Sequence, residues 1–176
     1  MTILIRFLDV TLALLGLLLL SPLLVLVFLA CWLDTGSPIF LQHRLGKNKK
    51  SFVLFKFRTM RIDAPQMPTH LVASSYVSAT GIFLRKHKLD ELPQLFNVLF
   101  GDMSLVGPRP GLPNDLVLTK LRDSYKVYRA APGITGAAQL EGVDMSQPEK
   151  LAAIDAKMLE EMNLKIYFIL IYRTIF

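Results

Sequence analysis

Two acidic side chains stand side by side in Lys88-Leu89-Asp90-Glu91-Leu92-Pro93. A carboxylate at a helix start commonly does no more than cap it. Neighbouring carboxylates can also split a reaction between them, one as nucleophile and one as acid or base, when their environments differ, or they can share a divalent cation. A second candidate is Gly107-Pro108-Arg109-Pro110-Gly111. Pro110 pushes Arg109 toward an extended backbone, so its guanidinium is presented with little conformational freedom, and that planar fork suits phosphate. A rigid surface turn is the plain alternative. A third is the basic set Arg44, Lys47, Lys49, Lys50, Lys56, Arg58 and Arg61. Lys47, Lys49 and Lys50 read as a solvated patch or one facing anionic head groups. Lys56 and Arg58 follow an alternating strand and can instead point into a pocket. Pro132-Gly133-Ile134-Thr135-Gly136 is either a plain loop or a backbone turn that approaches a ligand. The three histidines, His43, His70 and His87, are too scattered for a metal cluster, and neither a Walker motif nor a dinucleotide fingerprint occurs.

These residues need elements to hold them. Ile39 to Arg44 and Lys50 to Arg58 read as a β-hairpin turning through Leu45-Gly46-Lys47-Asn48-Lys49. In its second strand Val53, Phe55 and Phe57 alternate with Leu54, Lys56 and Arg58, the aromatics facing a core. Residues 61–80, with Pro65 and Pro68, read as a long, mobile loop. Ile82 to Lys88 reads as a short helix. Leu89, Leu92, Leu95, Phe96 and Leu99 follow helical spacing, with Asp90 as N-cap, Pro93 in the first turn and Gly101 past the end. A helix is expected over Asp115 to Arg129. Another runs to about Met162 from the capping-box spacing of Ser146 and Glu149. Leu164 to Phe176 reads as an interfacial helix, its Lys165 and Arg173 near head groups.

Composition bounds the rest. The chain has 176 residues, a net charge of +6, 52% hydrophobic residues and only 19% charged ones. That is too apolar for a disordered chain, and the single cysteine, Cys31, excludes an internal disulfide. The apolar excess is concentrated, since no residue from Val10 to Leu33 is charged. Such a run is long enough to cross a bilayer core. A cleavable signal peptide fits poorly, because the apolar core is too long and no small-x-small site precedes a polar start. Ser21-Pro22 interrupts the run. It is either a kinked transmembrane helix or a re-entrant hairpin, each arm roughly 18 Å long, about one leaflet. A basic and apolar chain points to a membrane and an anionic partner. Nucleic acid is disfavoured, because the aromatics alternate toward a core.

The block Leu89-Asp90-Glu91-Leu92-Pro93-Gln94-Leu95, Asn97-Val98-Leu99 and Gly101-Asp102-Met103-Ser104-Leu105-Val106-Gly107-Pro108-Arg109-Pro110 resembles the bacterial sugar transferases. More specifically it is similar to the small monotopic phosphoglycosyl transferases that act on polyprenyl phosphates. Thr80 to Lys86, Ser21-Pro22, Gly36 to Phe40, Lys56 to Met60 and Pro132 to Gly136 extend the likeness over nearly the whole chain. The resemblance implies an α+β fold: a re-entrant anchor at residues 1–33 and a mostly helical cytosolic catalytic domain at 34–176, with a small β-hairpin and a membrane-associated C-terminal helix. It settles the anchor as a one-leaflet hairpin broken at Ser21-Pro22, on the cytoplasmic face of a bacterial inner membrane. The absence of a further multi-helix N-terminal domain places the chain with the small form of the family.

The resemblance also implies a reaction. A phospho-sugar passes from a UDP-sugar to undecaprenyl phosphate, with UMP released, in the first membrane step of glycoconjugate synthesis. By position Asp90 matches the nucleophile and Glu91 its partner carboxylate. Arg109, between Pro108 and Pro110, matches the arginine that contacts nucleotide or phosphate. Lys56 and Arg85 match active-site positions, and Arg58 is grouped with them as phosphate-binding. A carboxylate approaching a diphosphate meets repulsion, which Mg²⁺ held by Asp90 and phosphate oxygens would relieve, with help from a helix N-terminus at Asp90. The sequence departs from the family pattern at Val143, where arginine is common, and at Tyr167, where an acidic residue is. A membrane-anchored nucleotide-sugar or lipid-phosphate binding protein without catalysis is the alternative, and a lipid phosphatase would release inorganic phosphate instead of UMP. A homo-oligomer is compatible with all of these.

Overall fold

The computed structural model describes residues 2–64 and 76–176. It opens with α1 (Thr2–Leu19) and α2 (Ser21–Thr35), bent by 66° about Leu20. Pro22 lies in the first turn of α2, where a missing N–H is tolerated. The carbonyl it would have bonded, that of Leu18, accepts from Ser21 Oγ instead at 2.8 Å. The Ser-Pro pair therefore turns the chain without leaving that carbonyl bare. Among the described residues no single helix is long and apolar enough to cross a membrane; the bent pair passes that test together, by length and composition.

Both helices also pack into the rest of the protein. Ala13 and Leu17 join Phe52, Leu54, Leu95, Val98 and Met103 in one apolar cluster. Val27 and Cys31 join Phe57 and Leu84 in another. The opposite faces leave Phe7, Leu14, Leu18, Leu26, Trp32 and Leu33 exposed. Arg6 donates to the Val98 and Leu99 carbonyls at 2.7 and 3.0 Å. It so satisfies the open C-terminal end of a helix 90 residues away in the chain. Asp9, buried, accepts from Ser104 Oγ (3.0 Å), Leu105 N (2.9 Å) and the Tyr167 hydroxyl (2.8 Å). Burial and that hydrogen bond push the Tyr167 phenol well above its ordinary range.

The hairpin forms as expected, with β1 (Ile39–Leu45) antiparallel to β2 (Ser51–Phe57) and Phe40 opposite Lys56. Its facing follows the sequence reading only at Phe57, which is buried; Phe52 and Leu54 are buried as well, while Val53 and Phe55 are half-buried. Lys56 therefore shares a strand face with two core residues. The outer edge of β2 is covered by one buried side chain, Asn97, which accepts from Phe55 N at 3.0 Å and donates to Val53 O at 2.7 Å. This accounts for the burial of a polar residue in a helix.

Beyond the hairpin, Met60 bridges to Val77. The rest of the expected 61–80 loop, with Pro65 and Pro68, lies largely outside the described residues. Helix α3 is Ala79–Lys86, starting earlier than expected because Ser78 caps it through Gly81 N at 2.9 Å. Asp90 is not the N-cap of the next helix. Lys88 adopts a left-handed conformation (φ 55°), Leu89–Glu91 forms a single 3-10 turn, and α4 is Gln94–Phe100 with Pro93 at the cap position. Leu89 and Leu92 pack against α2, and that packing sets the turn. Gly101 ends α4 in the left-handed conformation, as read.

A short parallel ladder follows, β3 (Ser104–Val106) beside β4 (Gly133–Thr135). Helix α5 (Leu116–Ser124) is capped by Asp115, whose carboxylate accepts from Leu118 N. It stops five residues short of the expected Arg129. Lys126 turns left-handed there and delivers Val127 and Tyr128 into the interior. After the one-turn α6 (Ala137–Leu140) comes α7 (Pro148–Glu161). The Ser146–Glu149 capping box does not form, because the Ser146 amide and hydroxyl both donate to Asp144. Helix α8 (Leu164–Ile175), capped by Asn163, closes the described fold. The architecture is α+β, mostly helical with two small sheets.

Candidate active site

A groove of about 870 Å³ runs between β1, β2, the Leu89–Leu92 turn, the Pro-Arg-Pro loop and the segment before α7, with Thr174 and Ile175 of α8 on one wall. That volume is in the range of small-molecule sites. Asp90 and Glu91 both line it. Glu91 Oε1 holds two cations, Lys56 Nζ at 2.9 Å and the Arg109 guanidinium at 3.2 Å. Asp90 has no ion-pair partner among the described residues and its side chain is almost wholly buried.

This difference in company splits the two carboxylates. For Asp90, burial dominates and raises its pKa, with Glu91 adding to the rise and Lys56 and Arg85 opposing it. Glu91 is also penalised by burial, but Lys56 and Arg109 outweigh that and hold its carboxyl at about 2. Lys56 is lowered by burial in spite of Glu91, so its ammonium is kept charged at a cost. Adjacent carboxylates with opposite shifts are the usual arrangement for separate acid–base or nucleophilic roles.

The other expected residues fall around this pair. Arg85 lines the groove, and its Nε donates to Thr59 Oγ1 at 2.9 Å. Arg58 lines it too, but its guanidinium is engaged with the Ser37 and Ile39 carbonyls and lies over the Phe40 ring. Val143 is buried in an apolar cluster with Leu118, Ala138 and Leu151. Lys49 pairs with Asp123 on the surface. Ser21 and Pro22 lie at the helix bend, away from the groove's lining. The expected field from a helix N-terminus at Asp90 is not present, since α4 begins at Gln94.

The Pro-Arg-Pro loop is held through every carbonyl from 108 to 111. Pro108 O accepts from Gly133 N (2.9 Å), Arg109 O from Arg122 (2.8 Å), Pro110 O from Arg44 (3.1 Å) and Gly111 O from Leu45 N (2.9 Å). Three separate segments, β1, α5 and β4, thus fix one loop. Its base is a backbone-to-backbone contact. A Cβ on Gly133 would collide with the Gly107 amide nitrogen, and one on Gly107 would lie 2.6 Å from Ala131 O. This gives Gly133 and Gly136 of the Pro132 to Gly136 turn a role in close backbone approach.

The sequence reading did not place Arg44 in the site. Phe40, Gln42 and Arg44 alternate along β1 and all line the groove, a period-two signal that was available. Gln42 Oε1 accepts from Arg44 at 2.6 and 3.0 Å, and burial, with Arg109 nearby, lowers the Arg44 guanidinium to about 10. No group of three or more histidine, cysteine, aspartate or glutamate side chains gathers among the described residues. One carboxylate without an ion pair, Asp90, would fit an ion completed by substrate oxygens and water, which is how Mg²⁺ is commonly held.

The model of the bacterial sugar transferase family matches residues 1–176, and the chain belongs to that family. Its members are membrane-associated enzymes of polysaccharide synthesis. An undecaprenyl-phosphate glucose phosphotransferase of Komagataeibacter xylinus is 38% identical over 97% of this chain and 36% of its own length. A UDP-glucose:undecaprenyl-phosphate glucose-1-phosphate transferase of Caulobacter vibrioides is 42% identical over 78% of this chain and 54% of its own. The exopolysaccharide production protein ExoY of Sinorhizobium fredii is 33% identical over 97% and 83%. The chain thus spans little more than a third of the first of these relatives.

Proposed function

We propose that the protein transfers a phospho-sugar from a UDP-sugar to undecaprenyl phosphate through a covalent Asp90 intermediate, at the cytoplasmic face of the bacterial inner membrane. The observation that carries this reading is the split pair: Asp90 without an ion-pair partner beside a Glu91 that is clamped by two cations. A carboxylate with a raised pKa is the better nucleophile of the two. A Glu91 held ionised keeps Lys56 and Arg109 fixed at the groove.

An Asp90 oxygen attacks the β-phosphorus of the donor. The bond from that phosphorus to the bridging oxygen breaks, and UMP leaves with the oxygen and its electron pair. A phosphate oxygen of the lipid acceptor then attacks the same phosphorus and frees the Asp90 carboxylate. The product is a lipid diphosphate sugar. Dividing one displacement into two is the benefit of covalent catalysis, and ping-pong kinetics are its signature. Arg109, Lys56, Arg85 and Arg44 supply fixed positive charge where the leaving phosphate gains negative charge. Mg²⁺, held by Asp90 and substrate oxygens, would shield the incoming diphosphate. With the bent, exposed α1–α2 pair as a membrane anchor, a membrane lipid and a soluble nucleotide would both reach such a site.

The test is UMP release with undecaprenyl phosphate and a panel of UDP-sugars, with mass spectrometry of the protein after UDP-sugar alone. The expected result is UMP, a phospho-sugar adduct on Asp90, and loss of both in Asp90→Asn. Turnover retained by Asp90→Asn, or inorganic phosphate in place of UMP, would sink the reading. Nucleotide-sugar binding without UMP would indicate a binding protein.

A further inference from the structure

Outside the groove one ion pair among the described residues is completely enclosed. Arg122 of α5 and Asp155 of α7 are each 1% exposed. Arg122 Nε and one terminal nitrogen both donate to Asp155 Oδ2, at 3.0 and 2.6 Å. The other terminal nitrogen donates to the Arg109 carbonyl at 2.8 Å. A Cβ added to Gly111 would sit 3.5 Å from that same nitrogen, so the guanidinium lies directly beneath the Pro-Arg-Pro loop.

Stability alone does not explain such a pair. Burying two charges is expensive, and well-packed apolar replacements are often as stable or more so. Geometry does explain it. A guanidinium is a rigid planar fork. With two of its nitrogens fixed on Asp155, the third has one direction left, and that direction is the Arg109 backbone. Arg109 itself reaches the other way, to Glu91.

We infer that Arg122 and Asp155 are a positioning pair. They hold the Arg109 backbone so that its guanidinium stays at Glu91 and at the phosphate that arrives there. This rests on the proposed role of Arg109, and neither member of the pair touches the groove itself. The consequence is separable from folding. Replacing both residues with apolar ones of similar bulk removes the brace but keeps the interior filled.

The experiment uses the full chain in lipid nanodiscs. It compares wild type, Arg109→Ala, the double variant Arg122→Met/Asp155→Leu, and the triple variant that combines them. The melting temperature of the double variant is expected to equal or exceed that of wild type. Amide exchange at Gly107, Arg109 and Gly111 is expected to rise at least about tenfold, while exchange in the middle of α5 and α7 is unchanged. UMP release is expected to fall about 10- to 100-fold, the scale of a small misplacement at a reacting centre. Adding Arg109→Ala to the double variant should then cost little more, because both changes remove the same contribution.

Unchanged loop exchange overturns the inference. So does a triple variant that loses the full Arg109→Ala factor again. If Arg109→Ala leaves UMP release untouched, the proposed role of Arg109 fails instead, and the exchange measurement still decides whether the pair braces the loop. Should the double variant not fold, Asp155→Asn is the substitute. It keeps shape and one acceptor but loosens the fork, so raised loop exchange is again the expected result and unchanged exchange again refutes the brace.

Discussion

Asp90 is buried and Glu91 half-buried, and what separates them most is their company. Two cations sit on one oxygen of Glu91, and none pairs with Asp90 among the described residues. An unpaired carboxylate held out of water is a strain that function can retain. Asp90→Asn should therefore raise the melting temperature while abolishing turnover, by about 2–4 °C, the shift that ~1 kcal/mol produces in a chain of this size. Differential scanning fluorimetry in detergent checks it, and an unchanged or lower value would contradict the buried, unpaired carboxylate. Glu91 makes the opposite contribution. Its folded pKa of about 2 lies below the 4.5 of an ordinary glutamate, so the unfolded chain takes up the proton first as pH falls. The stabilisation is whole above about pH 4.5 and is lost as pH approaches 2. In urea titrations Glu91→Gln should lie well below wild type at pH 6, and the gap should close between pH 4.5 and 2. A gap independent of pH would mean that charge is not its source.

The elements around the site fall into two groups by the distance over which they are specified. The hairpin, the break at Ser21-Pro22, the Gly101 stop and the Asp115 cap are made by residues a few positions apart, and they were legible in the chain. The failures were also local in form. Asp90, Ser146 and the expected long helix to Arg129 each carried a correct short-range signal, and each lost to packing of Leu89 and Leu92, to capture of Ser146 by Asp144, or to burial of Val127 and Tyr128. Asp90, Glu91, Lys56 and Arg109 were named as site residues, mostly through family likeness. Asn97, Arg122 and Asp155 were not, because each draws its meaning from a partner more than 30 residues away. The loop that Arg44 and Arg122 hold depends on bare backbone at its base. Gly133→Ala should cost about 3 kcal/mol or more by overpacking and should remove UMP release. Gly36→Ala, at φ 71° in open space, should cost only about 1–2 kcal/mol and leave UMP release near wild type. Urea unfolding and turnover of the two variants check this, and equal losses would refute the close-approach argument.

At the scale of the whole molecule, apolar side chains are exposed on several helices at once, including Phe7, Trp32, Phe83, Phe100, Phe168 and Tyr172. So much exposed apolar surface marks an interaction surface rather than an ordinary soluble monomer, in keeping with membrane attachment. The bent α1–α2 pair is nevertheless part of the interior, since Ala13 and Leu17 complete one cluster and Arg6 satisfies the end of α4. Deleting residues 1–35 is therefore expected to give an aggregating chain instead of a soluble transferase. Size-exclusion chromatography and circular dichroism read the outcome, and a monodisperse, folded product would contradict it. Asp9 extends this dependence into time. Two of its three donors come from residues 104 and 105 and the third from residue 167. At a synthesis rate of about 5–20 residues per second, the last donor is made roughly 8–30 s after the carboxylate. Ser104 and Leu105 are made earlier within that interval, and the full set of donors exists only once Tyr167 is made. The final seating of α1 would then follow the synthesis of residue 167, although α1 itself is made before every segment it packs against.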